Sequence, residues 1–201
     1  MLVHYVIGCF AKSIKVSTMT TGDSEQQEFP IPKVPDEFFV EFAALMKQLD
    51  TVNERATLKL RKIYQFMDRF SEYVSTFTVC GEGCSYCCQN QVGLTDLEAK
   101  LIEENTGRVR KQAGSSASQR ELKPCPFLNA EGACTIYSFR PFNCRTLFTL
   151  DDPEFCKTGE PHYIYGSSDG RYSVYFYAKL NEILVKLNGR KPVYDIRDLF
   201  E

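Results

Sequence analysis

Histidine is scarce in this chain of 201 residues: there are two, and only His162 lies outside the N-terminal stretch. That scarcity disfavours a Ser–His or Cys–His hydrolase, which needs an imidazole base beside its nucleophile. No Gly-rich phosphate loop and no paired-carboxylate arrangement stands out, and there is no internal repeat. No stretch approaches the run of about 20 apolar residues that a membrane helix needs. Charge of one sign is missing too. The 24 basic and 26 acidic side chains leave a net charge of −2, which gives nucleic acid no electrostatic footing and reads as a solvated surface. The apolar stretch Leu2 to Ala11 has no Lys or Arg ahead of Cys9 to form the charged region of an export signal. Residues 1–18 read as a poorly ordered extension or an over-long start, with Met19 an equally good first residue, and the expected location is the cytoplasm.

Cysteine is what the chain has. Eight of its nine cysteines fall between residues 80 and 156: Cys80, Cys84, Cys87, Cys88, Cys125, Cys134, Cys144 and Cys156. A reducing cytosol keeps thiols free, so clustered cysteines there are more often metal ligands or redox groups than disulfide staples. Thiolates hold both structural zinc and nearly all iron–sulfur clusters, and either use needs short turns on which several sulfurs converge. Cys80-Gly-Glu-Gly-Cys84-Ser-Tyr-Cys87-Cys88 supplies such a turn, with Gly81 and Gly83 freeing the backbone. Buried cysteines are often no more than small hydrophobes, but four in nine residues argue against that explanation. The adjacent side chains of Cys87 and Cys88 are expected to point apart, so that one faces a different metal, bridges two, or stays a free thiol. Eight thiolates divide into two four-ligand sites in several ways, and spacing does not give the partition.

The surrounding sequence is largely helical. Pro30, Pro32 and Pro35 mark an extended leader over residues 1–35, and Asp36 is a candidate cap for the helical segment after it. From Phe42 to Phe77 the apolar residues recur at steps of three and four, with one extra residue between Ala56 and Leu60. This stripe reads as one long helix or as two helices bent near Asp50 to Asn53. Core packing is its simplest use; a protein partner or homodimer through the helical segment 36–77 is the alternative. Thr95-Asp96-Leu97-Glu98 fits a capping box, and its helix should stop by Gly107. Residues 108–123 read as a loop separating two cysteine groups. Pro126 to Tyr137, with a turn at Asn129 to Gly132, suggests a β-hairpin. His162 to Tyr165, followed by a Ser-Ser-Asp-Gly turn, offers a further strand, and Leu180 to Leu187 a helix ending at Gly189. The expected fold class is α+β and mainly helical: one domain over residues 36–201, helices surrounding a small irregular cysteine-rich centre with a short β-hairpin.

The cysteine region resembles the YkgJ-type cysteine-cluster family of zinc- or iron-chelating domains. The resemblance rests on the group ending in a double cysteine, Cys80 to Cys88, and on the segment Val92 to Ala99. It rests also on Cys125-Pro126-Phe127-Leu128, Cys134-Thr135-Ile136-Tyr137 and Arg140-Pro141-Phe142-Asn143-Cys144-Arg145. One departure is the three residues, rather than two, between Cys80 and Cys84. The resemblance implies metal chelation. Some members are flagellin lysine methylases, but no methyl-donor site stands here independently of the cysteines. The eight clustered cysteines are therefore the expected metal ligands, with an iron–sulfur cluster favoured over zinc because of the thiol number and the vicinal pair.

Other residues carry weaker expectations. Arg140 and Arg145 flank Cys144, either as cofactor-binding groups that screen thiolate charge or as partners of a nearby acid. Tyr137 is expected to pack beneath the site. His162, next to Pro161, reads first as a partly buried structural histidine, with a ligand role as the alternative. Cys80-x₃-Cys84-x₂-Cys87, with Tyr86 before the third cysteine, also matches the radical S-adenosylmethionine pattern. That fold requires βα units after the motif, whereas here a helical stripe precedes it and another cysteine group comes after it.

Overall fold

The computed structural model describes residues 28–81, 83–111, 124–158, 160–166 and 172–201. Cys9, the N-terminal extension, most of the loop over 108–123 and the Ser-Ser-Asp-Gly turn lie outside the described residues. The apolar stripe forms two antiparallel-packed helices, α1 (Asp36–Thr51) and α2 (Ala56–Val74). The break falls at Val52 to Arg55, where Val52 and Arg55 take extended backbone angles. Lys59 of α2 donates its ammonium to the carbonyl of Leu49, one of the orphan acceptors at the end of α1. Pro35, rather than Asp36, occupies the cap of α1. Asp36 lies in the first turn with Glu37, where negative charge meets the positive end of the helix dipole.

The stripe is spent inside the chain. Phe42, Leu45, Leu49, Leu60, Ile63, Met67, Phe70 and Val74 are all buried, and they pack with Phe176, Leu180 and Leu184 of α6 (Tyr175–Leu187). Phe176 sits among Phe42, Phe66 and Phe70 with ring centroids 4.9–5.4 Å apart, a range that suits edge-on aromatic packing. The end of the leader joins the same core: Phe29, Ile31 and Val34 lie against it, and Phe29 stacks obliquely on Tyr163 at 5.1 Å.

α3 (Asp96–Thr106) separates this core from a second one. Leu97 and Leu101, four residues apart on one face, belong to the first; Ala99 and Ile102, on the opposite face, belong to the second. The second core adds Leu94, Phe127, Ile136, and Ile196, Leu199 and Phe200 from the C-terminal end. α3 begins in the expected capping box and ends at Gly107, whose φ of 70° is the left-handed conformation that favours glycine at a helix end.

Among the described residues the β-strands are short and pair antiparallel. β1 (Gly93–Thr95) pairs with β4 (Val193–Asp195), and β2 (Phe148–Thr149) with β3 (Ile164–Tyr165). The hairpin expected at Pro126 to Tyr137 is reduced to one bridge, Leu128 with Cys134, flanked by Asn129 N–H to Ala133 O (2.9 Å) and Thr135 N–H to Phe127 O (2.8 Å). Three short helices complete the chain: α4 (Phe142–Arg145), α5 (Phe155–Thr158) and α7 (Ile196–Leu199). Gly166, at φ 100°, passes so close to the Thr146 carbonyl that a Cβ has no room there. Among the described residues these elements form no succession of parallel βα units, which removes the context that the radical S-adenosylmethionine pattern requires. Also among the described residues, no helix is long and apolar enough to cross a membrane.

Candidate metal centre

The eight clustered cysteines are all free thiols, and they lie where the two cores meet. Cys80 packs against the first core, and Cys125, Cys134 and Cys144 against the second. Each is delivered by a short local device. Cys80 leaves α2 alongside β2: Val79 N–H donates to Thr149 O, and Thr149 N–H donates to Cys80 Sγ at 3.2 Å. Cys84 closes a tight turn through its N–H to Gly81 O, with Gly83 at φ 92°. Cys87 and Cys88 occupy a 3-10 turn over Tyr86–Gln89. Two bonds to the Cys88 carbonyl anchor that turn: the N–H of Cys125 at 2.9 Å and the guanidinium of Arg197 at 2.8 Å. Asn90 Nδ2 ties the same turn to α5 by donating to Cys156 O at 2.5 Å. Cys134 is the bridge partner of Leu128, and Cys144 lies in α4.

The thiols fall into two neighbourhoods. Cys88, Cys125, Cys134 and Cys144 stand within electrostatic reach of one another in every pairing. Cys80, Cys84 and Cys156 do the same among themselves. Cys87 lies between, acting on Cys88 and Cys144 on one side and on Cys84 on the other. The Cys87 and Cys88 thiols of the vicinal pair act strongly on one another.

Without a cation this arrangement holds protons tightly. Burial, reinforced by neighbouring thiols, pushes Cys80 and Cys125 up to about 11 and Cys156 up to about 12. Desolvation, with three other thiols alongside, raises Cys144 further, and burial raises Cys134 as well. Cys87 is held protonated chiefly by its hydrogen bond to Cys88. The same bond, assisted by Arg197 and opposed by burial, shifts Cys88 below the ordinary thiol value.

The two arginines beside Cys144 divide the work. Arg145 is completely buried and fully engaged: it pairs with Asp68 of α2, donates to Arg140 O at 2.8 Å and to Ser138 O at 2.7 Å, and lies over the Tyr64 ring at 4.0 Å. The acid partner expected for it is in place, and its charge also reaches Cys134. Arg140 stacks on Tyr137 at 3.9 Å, and its charge reaches Cys134 and Cys144. Tyr137 thus acts at one remove, as the platform for Arg140.

Three further residues belong to the neighbourhood of Cys80, Cys84 and Cys156. His162 Nδ1 stands 3.9 Å from Cys156 Sγ, 3.2 Å from Thr149 Oγ1 and 3.5 Å from Asp151 Oδ1. Asp151 is fixed by the Thr149 hydroxyl (2.6 Å) and the Tyr163 N–H (2.9 Å). Sequence reasoning named His162 but preferred a structural role; Asp151, Thr149 and Arg197 were missed. Only the position of His162, six residues after the last cysteine, carried a signal.

The donor set suits a thiophilic metal by its chemistry: free, mostly half-buried sulfur donors from separate segments, with cationic groups close behind. The thiols stand as neighbours, not as a closed shell. Among the described residues, no three His, Cys, Asp or Glu side chains are gathered tightly enough to form a ready single-ion site.

A small helical shell around a thiol-rich, metal-chelating centre is the class of protein these features define. The family model CxxCxxCC, described as "Putative zinc- or iron-chelating domain", matches residues 79–161 of the chain. The match takes in all eight clustered cysteines and stops one residue short of His162. No curated protein and no solved structure matches the chain.

Proposed function

We propose that this chain is a thiolate chelator, with an iron–sulfur cluster favoured over zinc, and that Cys88, Cys125, Cys134 and Cys144 form its principal site. The carrying observation is the mutual proximity of these four thiols, which come from four separate segments. Bringing these thiols together without a cation raises Cys125, Cys134 and Cys144 above the ordinary thiol value and leaves weak hydrogen-bonding groups poorly matched. A metal relieves both, because it binds thiolates and releases their protons. Four thiolates satisfy either a tetrahedral zinc or a cluster. The Arg140 guanidinium, anchored on Tyr137, supports the cluster reading by offsetting the charge of Cys134 and Cys144. Arg145 contributes indirectly by fixing α4 to α2. A bound cluster supplies one-electron chemistry; this chain supplies its enclosure, its ligands and the positive charge near them.

Anaerobic purification followed by metal and acid-labile sulfide analysis tests the proposal. Iron with sulfide in a brown protein is expected. Stoichiometric zinc in a colourless protein removes the cluster and leaves chelation standing. Neither metal, with disulfides in their place, overturns chelation itself.

A further inference from the structure

We propose that the chain has a second metal site of mixed chemistry, in which the His162 imidazole joins the thiolates of Cys80, Cys84 and Cys156. The inference rests on the chelating function above and adds a non-sulfur ligand and a second centre to it. These three thiols act on one another, and Cys87 interacts with Cys84 as well as with Cys88 and Cys144. A four-coordinate site on the three thiols lacks a fourth donor, and His162 stands beside Cys156 to supply it. Its Nδ1 is 3.9 Å from Cys156 Sγ. Sulfur and nitrogen ligands about 2.3 and 2.0–2.1 Å from one tetrahedral zinc stand roughly 3.5 Å apart, so a small rotation of either side chain closes the difference.

The surroundings hold the imidazole at that edge. The ring is half-buried between Thr149 and Asp151, and Phe155 of α5 meets it edge-on at 6.4 Å. Thr149 serves both partners, because its backbone N–H binds Cys80 Sγ while its hydroxyl contacts His162 Nδ1 and donates to Asp151. One residue therefore sets the spacing between the first cysteine of the site and its histidine. Asp151 adds a carboxylate that acts on Cys80 and Cys156, which favours a cation among them.

The test uses the full chain, stripped of metal under anaerobic reducing conditions and titrated with Co(II), with histidine as the only ¹⁵N-labelled residue. Two Co(II) ions per chain are expected, one of them giving a ¹⁵N hyperfine coupling by pulsed electron paramagnetic resonance. The chain has only two histidines, so a single substitution makes the assignment. His162→Cys should keep both ions, abolish the coupling and shift the cobalt absorption toward an all-thiolate spectrum. His162→Ala should lose the labelled site while Cys125→Ser spares it. Absence of the coupling in the native chain, or its persistence in His162→Cys, overturns the mixed site. One ion in a purely thiolate environment also overturns it and leaves the chelating function intact; no bound ion at all brings down both.

Discussion

Glu98 Oε1 accepts a 2.7 Å hydrogen bond from the backbone N–H of Phe142, the first residue of the helix that carries Cys144. The same carboxylate accepts from the Tyr64 hydroxyl at 2.8 Å and from the Thr95 N–H at 2.8 Å, so a helix cap doubles as the mount for a metal-ligand candidate. The group is 2 % exposed, and its partners are buried with it. Glu98→Ala strands these donors, and a buried unsatisfied group costs about 1–3 kcal/mol. We expect a loss of about 2–4 kcal/mol in urea unfolding of the metal-free protein, with α4 loosened and metal uptake reduced. A variant that unfolds at the native urea midpoint and loads metal normally contradicts this mounting role.

Cys84→Ser and Cys144→Ser should each lower metal content and stability together, because the binding energy of a site absent from the unfolded chain is folding energy. The two-neighbourhood arrangement adds a distinction: Cys144→Ser should strip the four-thiol site, and Cys84→Ser the other. Elemental analysis beside thermal melts checks both. Unchanged loading in both variants removes these cysteines from the ligand set.

The helical frame was legible because periodicity and caps are local. The stripe from Phe42 to Phe77 and the Thr95–Glu98 box both follow from spacing alone. Of the two readings the stripe allowed, one helix or two bent near Asp50 to Asn53, the second is the one formed. The use of Lys59 to close the break depends on the packing of α1 and α2 and was not legible. At the centre, sequence gathered the thiols without dividing them. The division depends on long-range pairings such as Cys125 with the Cys88 carbonyl and Val79 with Thr149, which no local spacing encodes. Arg197 was invisible for the same reason, lying 109 residues from the carbonyl it binds.

The metal-free protein should lose stability at alkaline pH. Cys80 and Cys125, raised to about 11, and Cys156, raised to about 12, titrate above the ordinary thiol value of 9.0 when folded. Between pH 9 and 12 the folded chain holds protons that the unfolded chain has released, so their contribution is complete below pH 9 and disappears as pH rises through 11–12. Cys88, shifted downward instead, acts in the opposite sense and only below pH 9. Urea midpoints of reduced apoprotein at pH 9, 10 and 11 should fall in that order. The metal-loaded protein, its ligands already deprotonated, should show a much flatter response over the same range. An apoprotein midpoint that holds steady or rises contradicts the buried, protonated state of these thiols.

Cys88 should be the thiol that reacts first. The thiolate is the nucleophile, and Cys88 is shifted toward ionisation, whereas Cys80, Cys125 and Cys156 are held protonated at neutral pH. Its ionisation is supported by the hydrogen bond from Cys87 and by the charge of Arg197, whose guanidinium also binds the Cys88 carbonyl. Trace iodoacetamide on reduced apoprotein at pH 7, read by peptide mass spectrometry, should modify Cys88 ahead of Cys80, Cys125, Cys144 and Cys156. Cys87→Ala removes the hydrogen-bond donor and Arg197→Gln the charge, so each should slow that modification, and metal loading should suppress it. If Cys144 or Cys156 is labelled first, the vicinal pair is not the proton-sharing unit that the 3-10 turn at Tyr86–Gln89 makes of it.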